Sequence, residues 1–267
     1  MITVARTSRP GDVRLRFSRL GDAGVGLPPM GYGRREEVMG HRQENDSPES
    51  REAKLSDLAH AYAAALLRGD EIAAEIAIRE AMEAKLSTAE IDDEIIAPGL
   101  WFVGELWERG EISVADEHLA TEISIRVLAL QREAQRVAKA RRGQRVMLAA
   151  PAGELHVVAL RMIGNLLRDA GYRVVMLGAD VPAEALAASA SRHEPDVICL
   201  SATMPGGGDK TLLAIHAVQQ RWPAAGFVIG GSGLAARIRS RPGIEVCRRV
   251  SEVVEAVDAI AQRADLN

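Results

Sequence analysis

A short segment near the middle of the chain carries a carboxylate and an imidazole two residues apart. It reads Pro151-Ala-Gly-Glu154-Leu-His156 and follows an apolar run. An imidazole is a common metal ligand, and a carboxylate that accepts its second N–H fixes the tautomer and raises the basicity of the ring. The pair therefore suits a metal ligand. It equally suits a helix-capping glutamate beside an incidental surface histidine, and the triplet alone does not separate these interpretations.

The rest of the sequence disfavours a zinc site, because no second or third His or Cys ligand lies at a suitable spacing. The only two cysteines, Cys199 and Cys247, lie within predicted strands, so we expect two buried thiols and no disulfide scaffold. A cofactor that already chelates its own metal needs just one ligand from the protein.

Two later loops have compositions that let a bulky ligand approach the backbone. Ser201-Ala-Thr203 and Gly230-Gly231 each follow a short apolar run. Glycine permits close approach, and the hydroxyls can bond a ring nitrogen or a phosphate, although ordinary turn chemistry explains the same residues. Neither loop carries a Gly-x-Gly-x-x-Gly fingerprint at the first strand, and no Walker pattern occurs. A dinucleotide or nucleoside triphosphate site is therefore disfavoured.

The elements that must position these loops follow from the apolar pattern of the C-terminal half. Short apolar runs over 145–150, 173–177, 197–200, 227–230 and 244–247 alternate with helical stretches near 156–170, 182–192, 209–221 and 250–263. Apolar strands alternating with helices predict a parallel sheet covered on both faces. Five strands fit a flavodoxin-like, doubly wound α/β sheet, which binds ligands at the carboxyl ends of its strands. All three loops would meet at that edge.

The preceding region has helical periodicity from about Leu55 and predicts a four-helix bundle with short connections. Ile72 and Ile76 mark the expected apolar stripe of the second helix, and Pro98 is expected to bend or end the first half of the third. Ser113 and Asp116 have the spacing of a capping box at the start of the fourth helix.

The composition sets the domain layout. Residues 1–50 are rich in Gly, Pro, Arg and Ser and lack a sustained period, so we predict a flexible tail, a helical cap over 51–142 and an α/β domain over 143–267. A net charge of -4 gives no support to a nucleic-acid surface. No uncharged run could form a membrane-spanning helix, and we expect a cytoplasmic protein.

Taken together, the three loops resemble the Asp-x-His-x-x-Gly, Ser-x-Leu and Gly-Gly signature of cobalamin-binding domains. The resemblance implies that His156 is the lower axial ligand of cobalt and that Glu154 orients it. It also implies that the displaced nucleotide tail of the cofactor enters a slot beside the serine loop and the glycine pair. The residues assigned to the cofactor on this side are Glu154, Leu155, His156, Val157, Ala159, Ser201, Thr203, Gly230 and Gly231. Departures from the signature are Glu154 for Asp, Ala159 for Gly and Thr203 for Leu.

The cap carries a second resemblance. Trp107, followed after nine residues by Glu117-His118, resembles the Trp-x9-Glu-His motif of the light-sensing, CarH-type cobalamin proteins. The resemblance implies that these three residues contact the upper side of adenosylcobalamin, between the cap and the α/β domain. On the residues alone, Trp107 also suits the core of the bundle, and Glu117 suits a helix-dipole carboxylate.

A member of this family would be a photoreceptor and regulatory protein, not an enzyme. Photolysis of the cobalt–carbon bond would change its conformation or assembly, with output through an unknown partner or self-association. Residues 1–50 lack a helix-turn-helix pattern, so we expect a standalone sensor without direct DNA binding. The photocobilin subgroup, which also binds a bilin such as biliverdin, is a candidate. Any bilin would be non-covalent, because both thiols are predicted to be buried.

Two other functions stay open. A corrinoid carrier for methyl transfer resembles the same cap and α/β layout and depends on the same lower histidine. A cofactor-free α/β interaction module with receiver-like topology is the third reading, but it lacks the expected acidic cluster after the first strand, where Pro151-Ala-Gly-Glu154 stands.

Overall fold

The structure, a computed structural model, describes residues 3–6, 13–16, 48–134 and 142–264. Two short antiparallel strands, β1 (Thr3–Arg6) and β2 (Val13–Arg16), lie within the segment predicted to be a flexible tail. Each strand has four residues, the shortest length over which apolar–polar alternation indicates a strand, and the signal was outweighed by the Gly, Pro, Arg and Ser content of the segment. The rest of residues 1–47 lies outside the described residues, and the flexible tail stays a prediction there.

The helical cap begins with α1 (Pro48–Arg68) and α2 (Glu71–Glu83), and ends with α5 (Val114–Ala134). Between them, α3 (Thr88–Ile91) and α4 (Ala97–Glu108) are joined by a π-helical turn over Asp92–Ile96. The predicted capping box of α5 is confirmed. The Ser113 hydroxyl accepts the Asp116 N–H at 3.3 Å, and Asp116 accepts the Ser113 N–H at 2.9 Å.

Pro98 affects the third predicted helix in a way that the sequence did not specify. The helix neither ends nor restarts before Pro98, because the Ala97 N–H reaches back five residues to the Asp92 carbonyl, which makes one π turn. Pro98 then occupies the first turn of α4, where its missing N–H costs little. The helix therefore continues as α4, and the π turn places Asp92 inside the cap and Asp93 toward the α/β domain.

The core of the cap is aliphatic and rich in alanine. The predicted apolar stripe of α2 is wrong, because Ile72 is 71% exposed and Ile76 is also exposed. The buried face of α2 consists of Ala74, Ala77, Ile78 and Ala81. Small alanine side chains let neighbouring helices approach closely, so the buried face follows the alanines instead of the two larger isoleucines.

The C-terminal half is a five-stranded parallel sheet with helices on both faces, as predicted. Its strands are β3 (Arg145–Pro151), β4 (Arg173–Val181), β5 (Val197–Ser201), β6 (Gly226–Gly230) and β7 (Ile244–Cys247). Its helices are α6 (Val158–Asp169), α7 (Ala183–His193), α8 (Gly207–Arg221) and α9 (Val253–Ala264). The strand order β4-β3-β5-β6-β7 is the flavodoxin-like order. Cys199 and Cys247 are buried in this sheet, as expected.

The cap docks on α6 of the α/β domain. The Asn165 side chain donates to the Leu128 carbonyl at 3.1 Å, and Arg132 pairs with Asp169. Both contacts join residues 37 positions apart, so α5 and α6 run in the same direction side by side. Asp93 makes a second junction, since it accepts the N–H groups of Val250 at 3.0 Å and Ser251 at 3.2 Å.

No helix in the described part of the chain combines the length and apolar character needed to cross a bilayer.

Candidate functional site

The loop between β3 and α6 presents His156 at the carboxyl edge of the sheet. Gly153 adopts a φ of +76°, and the Glu154 N–H bonds back to the Pro151 carbonyl at 2.9 Å, which turns the chain sharply after the strand. The turn leaves Glu154 buried and the His156 side chain 49% exposed. The loop therefore holds one residue of the pair inside the protein and offers the other to the solvent side.

Glu154 fixes the imidazole through one of its carboxylate oxygens. Oε1 lies 2.5 Å from His156 Nδ1 and accepts the His156 backbone N–H at 3.0 Å. With Nδ1 occupied, the second ring nitrogen, Nε2, points away from the carboxylate and has no hydrogen-bond partner among the described residues. A neutral ring of this tautomer has its lone pair on Nε2, which is the arrangement that a metal ligand needs.

The other carboxylate oxygen ties this loop to the loop after β5. Oε2 of Glu154 accepts the Thr203 N–H at 2.5 Å and the Met204 N–H at 2.8 Å. Burial alone would raise the pKa of Glu154, but the N–H groups of Met204, His156 and Thr203 outweigh it and hold the pKa below its ordinary value. Glu154 is therefore an ionised hub that connects two of the three predicted loops. It is not a surface capping residue.

Asp180, at the end of β4, supports the same loop and was not among the predicted site residues. Its side chain accepts the Gly153 N–H at 2.6 Å, and its own N–H donates to the Glu154 carbonyl at 2.9 Å. The backbone of Asp180 adopts a φ of +53° in this position, which is uncommon for a residue other than glycine. An acidic residue at the end of the strand next to β3 was the available signal in the sequence.

The serine loop and the glycine pair lie side by side, as predicted. Ser201 is buried and pairs in register with Gly230. Gly231 has a φ of +110°, and a Cβ there would overlap the carbonyl oxygen of Ala202. Gly233 has the same role against the Met204 carbonyl and was missing from the predicted set. The glycines allow the two loops to pack backbone against backbone.

Partly or largely exposed apolar side chains occur in the His156 loop and in the loop after β5 that Glu154 holds against it. Leu155 is 70% exposed, Met204 is also exposed, and Val157 and Ala159 are half-buried. Exposed large apolar side chains grouped around one polar atom are typical of a binding surface. This edge can therefore accept a broad apolar ligand with one metal-binding or hydrogen-bonding position at its centre.

The cap residues Trp107, Glu117 and His118 occur together at the junction of α4 and α5. Trp107 lies in the last turn of α4 and is exposed, so it is not part of the bundle core. His118 Nδ1 lies 2.8 Å from Glu117 Oε2, and the Thr121 hydroxyl donates to Glu117 Oε1 at 3.1 Å. The end of α4 thus carries an exposed indole and the first turns of α5 carry a linked carboxylate and imidazole, all of which are side chains that can bind a ligand.

The parallel arrangement of α5 and α6 brings this group to the same end of the molecule as His156. Followed back to the first residue of α6, the offset of 37 residues places Thr121 level with Val158; Glu117 lies one turn before Thr121, and the His156 loop leads directly into Val158. No described hydrogen bond joins the two groups. The structure thus places the predicted upper and lower residues at one end of the cap and α/β domain without direct contact between them.

Comparison with known proteins identifies the family. Two models named B12 binding domain match this chain, one over residues 144–258 and one over residues 58–130. The HTH-type transcriptional repressor CarH of Myxococcus xanthus is 30% identical over 255 residues, which cover 92% of this chain and 81% of that relative. The chain belongs to the B12-binding family. It is a cobalamin-binding protein, and a cobalt corrinoid is its cofactor.

Other B12-binding relatives are corrinoid proteins. Trimethylamine corrinoid protein 2 of Methanosarcina acetivorans is 30% identical over 138 residues, which cover 51% of this chain and 63% of that relative. The structure of the Methanosarcina barkeri monomethylamine corrinoid protein matches with a TM-score of 0.65 at 18% identity, covering 76% of this chain and 99% of that one. At this identity the structural likeness shows the shared fold, a helical cap followed by a Rossmann-like sheet.

The residues at the carboxyl edge fit a cobalt corrinoid. Among the described residues no cluster of three or more His, Cys, Asp or Glu side chains is placed to hold a metal ion. A corrin already supplies the equatorial nitrogen ligands of its cobalt, so one protein imidazole is sufficient. His156 Nε2 is the ring atom available for that bond, and the exposed Leu155 and Met204 beside it suit the apolar face of a macrocycle.

Proposed function

We propose that this protein is a cobalamin-dependent light sensor that binds adenosylcobalamin with His156 as the lower axial ligand. The observation that carries the proposal is the imidazole fixed at Nδ1 by buried Glu154 and unpartnered at Nε2. When bound, adenosylcobalamin supplies a cobalt–carbon bond that light can break. The similarity to CarH over most of both chains, together with the exposed Trp107, favours a sensor over a carrier.

The protein's own residues would perform three tasks. Glu154 holds the His156 ring in one tautomer and one orientation. The exposed Leu155 and Met204 side chains would pack against the apolar surface of the bound corrinoid. The loops held together by Gly231 would line the slot for the nucleotide tail. Trp107, with the Glu117–His118 pair, would contact the upper axial group.

The response to light would be a shift in the position of the cap. Contacts between the cap trio and the upper axial group exist only while that group is attached, so its loss removes binding energy that favours one position of the cap. Output would then pass to an unknown protein partner or to self-association, as a regulatory protein without a catalytic step. A bilin such as biliverdin as second chromophore stays a prediction. Non-covalent binding would follow from the burial of both thiols, and mass spectrometry of purified protein checks it.

An absorption spectrum of the full chain reconstituted with adenosylcobalamin in darkness, repeated after green light, tests the proposal. We expect a histidine-ligated spectrum in darkness and an irreversible change on illumination, with a change in hydrodynamic size. His156→Ala should give the base-off or water-ligated spectrum. His216→Ala, an exposed histidine on α8, is the matched control and should leave the spectrum unchanged. A chain that stays colourless with every common corrinoid contradicts the lower-ligand assignment.

The alternative function is that of a corrinoid carrier for methyl transfer. It is supported by the similarity to the trimethylamine corrinoid protein and by the shared fold with the monomethylamine corrinoid protein. Both functions use His156, so the discriminating measurement is affinity. A sensor should bind adenosylcobalamin at least as tightly as methylcobalamin. Trp107→Ala should weaken the binding of adenosylcobalamin more than that of methylcobalamin. A strong preference for methylcobalamin that is independent of Trp107 favours the carrier.

A further inference from the structure

Strand β4 departs from regular pairing with β3 only at its carboxyl end. The two strands pair residue for residue over Arg145–Leu148 and Arg173–Met176. Beyond that point β4 contains one extra residue before Gly178 and another before Val181, so two bulges follow each other at the end of the strand. Bulges are common beside binding sites, where they turn a side chain in a new direction. The residue that these bulges turn is therefore a candidate for a role in the site.

The second bulge carries Asp180, the residue that supports the His156 loop. Gly178 has a φ of +88° and Asp180 a φ of +53°. Glycine adopts a positive φ without steric cost, whereas aspartate does so at a cost. The Asp180 side chain is exposed, so it is not part of the core of the sheet. Residues that keep an uncommon backbone conformation cluster at functional sites, where the contacts around them hold that conformation.

Asp180 fixes the backbone on both sides of Glu154. Its carboxylate accepts the Gly153 N–H at 2.6 Å, and its backbone N–H donates to the Glu154 carbonyl at 2.9 Å. The Glu154 N–H itself bonds to the Pro151 carbonyl at 2.9 Å. Both peptide groups that flank the Glu154 Cα atom are therefore held by hydrogen bonds, which restricts how far the carboxylate can move from the His156 ring.

Protection of the sheet edge does not account for the position of the bulges. β4 is an edge strand, and bulges can discourage an edge strand from pairing with another chain. The edge of β4 is open along the whole strand, whereas both bulges lie at the end beside the His156 loop. Edge protection also gives no reason for a carboxylate that accepts the Gly153 N–H. The bulges therefore relate to the loop more than to the edge.

We infer that Asp180 is a positioning residue for the cobalt ligand. It acts through the backbone of Gly153 and Glu154, and it keeps the His156 imidazole in the orientation in which Nε2 can bond to cobalt. A ring that is already held in place loses less freedom on binding, so the chain binds a corrinoid more tightly. The inference rests on His156 as the lower ligand, which is part of the proposed function. It requires no contact between Asp180 and the cofactor.

A double-mutant cycle between Asp180 and His156 tests this route. The dissociation constant of adenosylcobalamin is measured by absorption titration of the full chain in darkness at constant pH. Asp180→Ala should raise this constant about tenfold in the chain that keeps His156, as expected for the loss of one hydrogen bond to a charged group. In the His156→Ala background the same substitution should change the constant by less than about twofold, because no imidazole is left to position.

Two control variants and a spectroscopic signature separate positioning from a general loss of structure. Asp180→Asn keeps an acceptor oxygen and tolerates a positive φ, so its dissociation constant should stay within about threefold of the original. Asp196→Ala also removes a carboxylate that accepts a backbone N–H at 2.6 Å, that of Arg145 at the opposite edge of the sheet, and should change the constant by less than about twofold. In electron paramagnetic resonance of bound cob(II)alamin, the splitting from the His156 nitrogen should weaken in Asp180→Ala and persist in Asp196→Ala.

An increase of the same size in both backgrounds overturns the inference, because Asp180 would then act on the fold or on the cofactor directly. Unchanged binding in Asp180→Ala with an unchanged nitrogen splitting also overturns it. If His156→Ala binds adenosylcobalamin as tightly as the original chain, the lower-ligand assignment fails and the inference fails with it. If Asp180→Ala does not fold, Asp180→Gly takes its place in the cycle, since glycine adopts the positive φ without strain and also lacks the acceptor.

Discussion

Replacement of Glu154 by glutamine removes the negative charge of this side chain while keeping its size and shape. The carboxylate accepts four hydrogen bonds, two from His156 and one each from the N–H groups of Thr203 and Met204. A glutamine of the same size keeps one acceptor oxygen, so its NH₂ group must face one of the two donor pairs. Two hydrogen bonds to a charged acceptor are then lost. The two N–H groups of that pair instead face the NH₂ group of the glutamine, which is itself a donor.

The expected cost follows from these two bonds. A hydrogen bond to a charged group contributes about 1.5–3 kcal/mol, and because water can reach part of this edge we use the lower end of that range. Glu154→Gln should therefore lower the free energy of unfolding by about 3 kcal/mol at pH 7. Chemical unfolding followed by circular dichroism measures this, and faster amide exchange at Thr203 and Met204 locates it. Glu122→Gln, at an exposed position on α5, is the control and should stay within about 0.5 kcal/mol.

The pH dependence of this difference tests its electrostatic origin. The pKa of Glu154 is lowered in the folded chain relative to its ordinary value of 4.5, so its stabilising contribution is present above about pH 4.5 and is lost as the pH falls below it. The difference between the original chain and Glu154→Gln should shrink in that lower range. A difference below about 0.5 kcal/mol at pH 7, or one that does not change down to pH 3.5, would refute the role of Glu154 as an ionised hub.

Three further predictions concern the backbone of the site and the π turn. Gly231→Ala should cost about 2–4 kcal/mol in thermal or chemical unfolding, because a Cβ there overlaps the Ala202 carbonyl at a φ of +110°, whereas Gly104→Ala, in open space on α4, should stabilise the chain by about 0.5–1 kcal/mol. Asp93→Ala should remove the acceptor of the Val250 and Ser251 N–H groups, in the 3₁₀ turn that precedes α9, and should cost about 2 kcal/mol. Amide exchange at these two residues should become faster, and unchanged exchange would contradict this junction. The raised pKa of Asp92, about 8, means that the folded chain holds a proton that the unfolded chain releases above about pH 4. The original chain should therefore lose stability relative to Asp92→Asn from pH 5 to pH 8, by at most about 1.4 kcal/mol per pH unit. If the free energy of unfolding depends on pH in the same way in both chains, the raised pKa of Asp92 is excluded.

The sequence was sufficient to predict the sheet and the position of the histidine. Short apolar runs alternating with helices have few arrangements other than a parallel doubly wound sheet, and loops after such strands must meet at one edge. Glu154 and His156 lie two residues apart, so their pairing followed from local spacing. The family resemblance also agreed with the comparison that places this chain among B12-binding proteins.

Contacts between distant segments could not be read in the same way. Nothing in the spacing of Glu154 indicates that it accepts the N–H groups of Thr203 and Met204, because those bonds depend on how two loops pack. The buried face of α2 was predicted wrongly, because hydrophobic size favoured Ile72 and Ile76 while helix packing buried the smaller alanines. The π turn had a single local signal, Pro98, which indicates a disturbance of the helix but not its form.

The two contacts between α5 and α6 limit how the cap can travel. A translation of α5 along α6 would separate the buried Asn165 amide from the Leu128 carbonyl. It would also separate Arg132 from Asp169, which form the next contact one helical turn along the pair. A tilt about that pair of contacts breaks neither. The first turns of α5, where His118 lies, and the adjoining end of α4, where Trp107 lies, would then swing through an arc while the seam at α6 acts as the pivot. In the proposed light response, a small loss of contact at the carboxyl edge would therefore rock the helical layer, with the largest displacement at the end of the cap farthest from the two α5–α6 contacts.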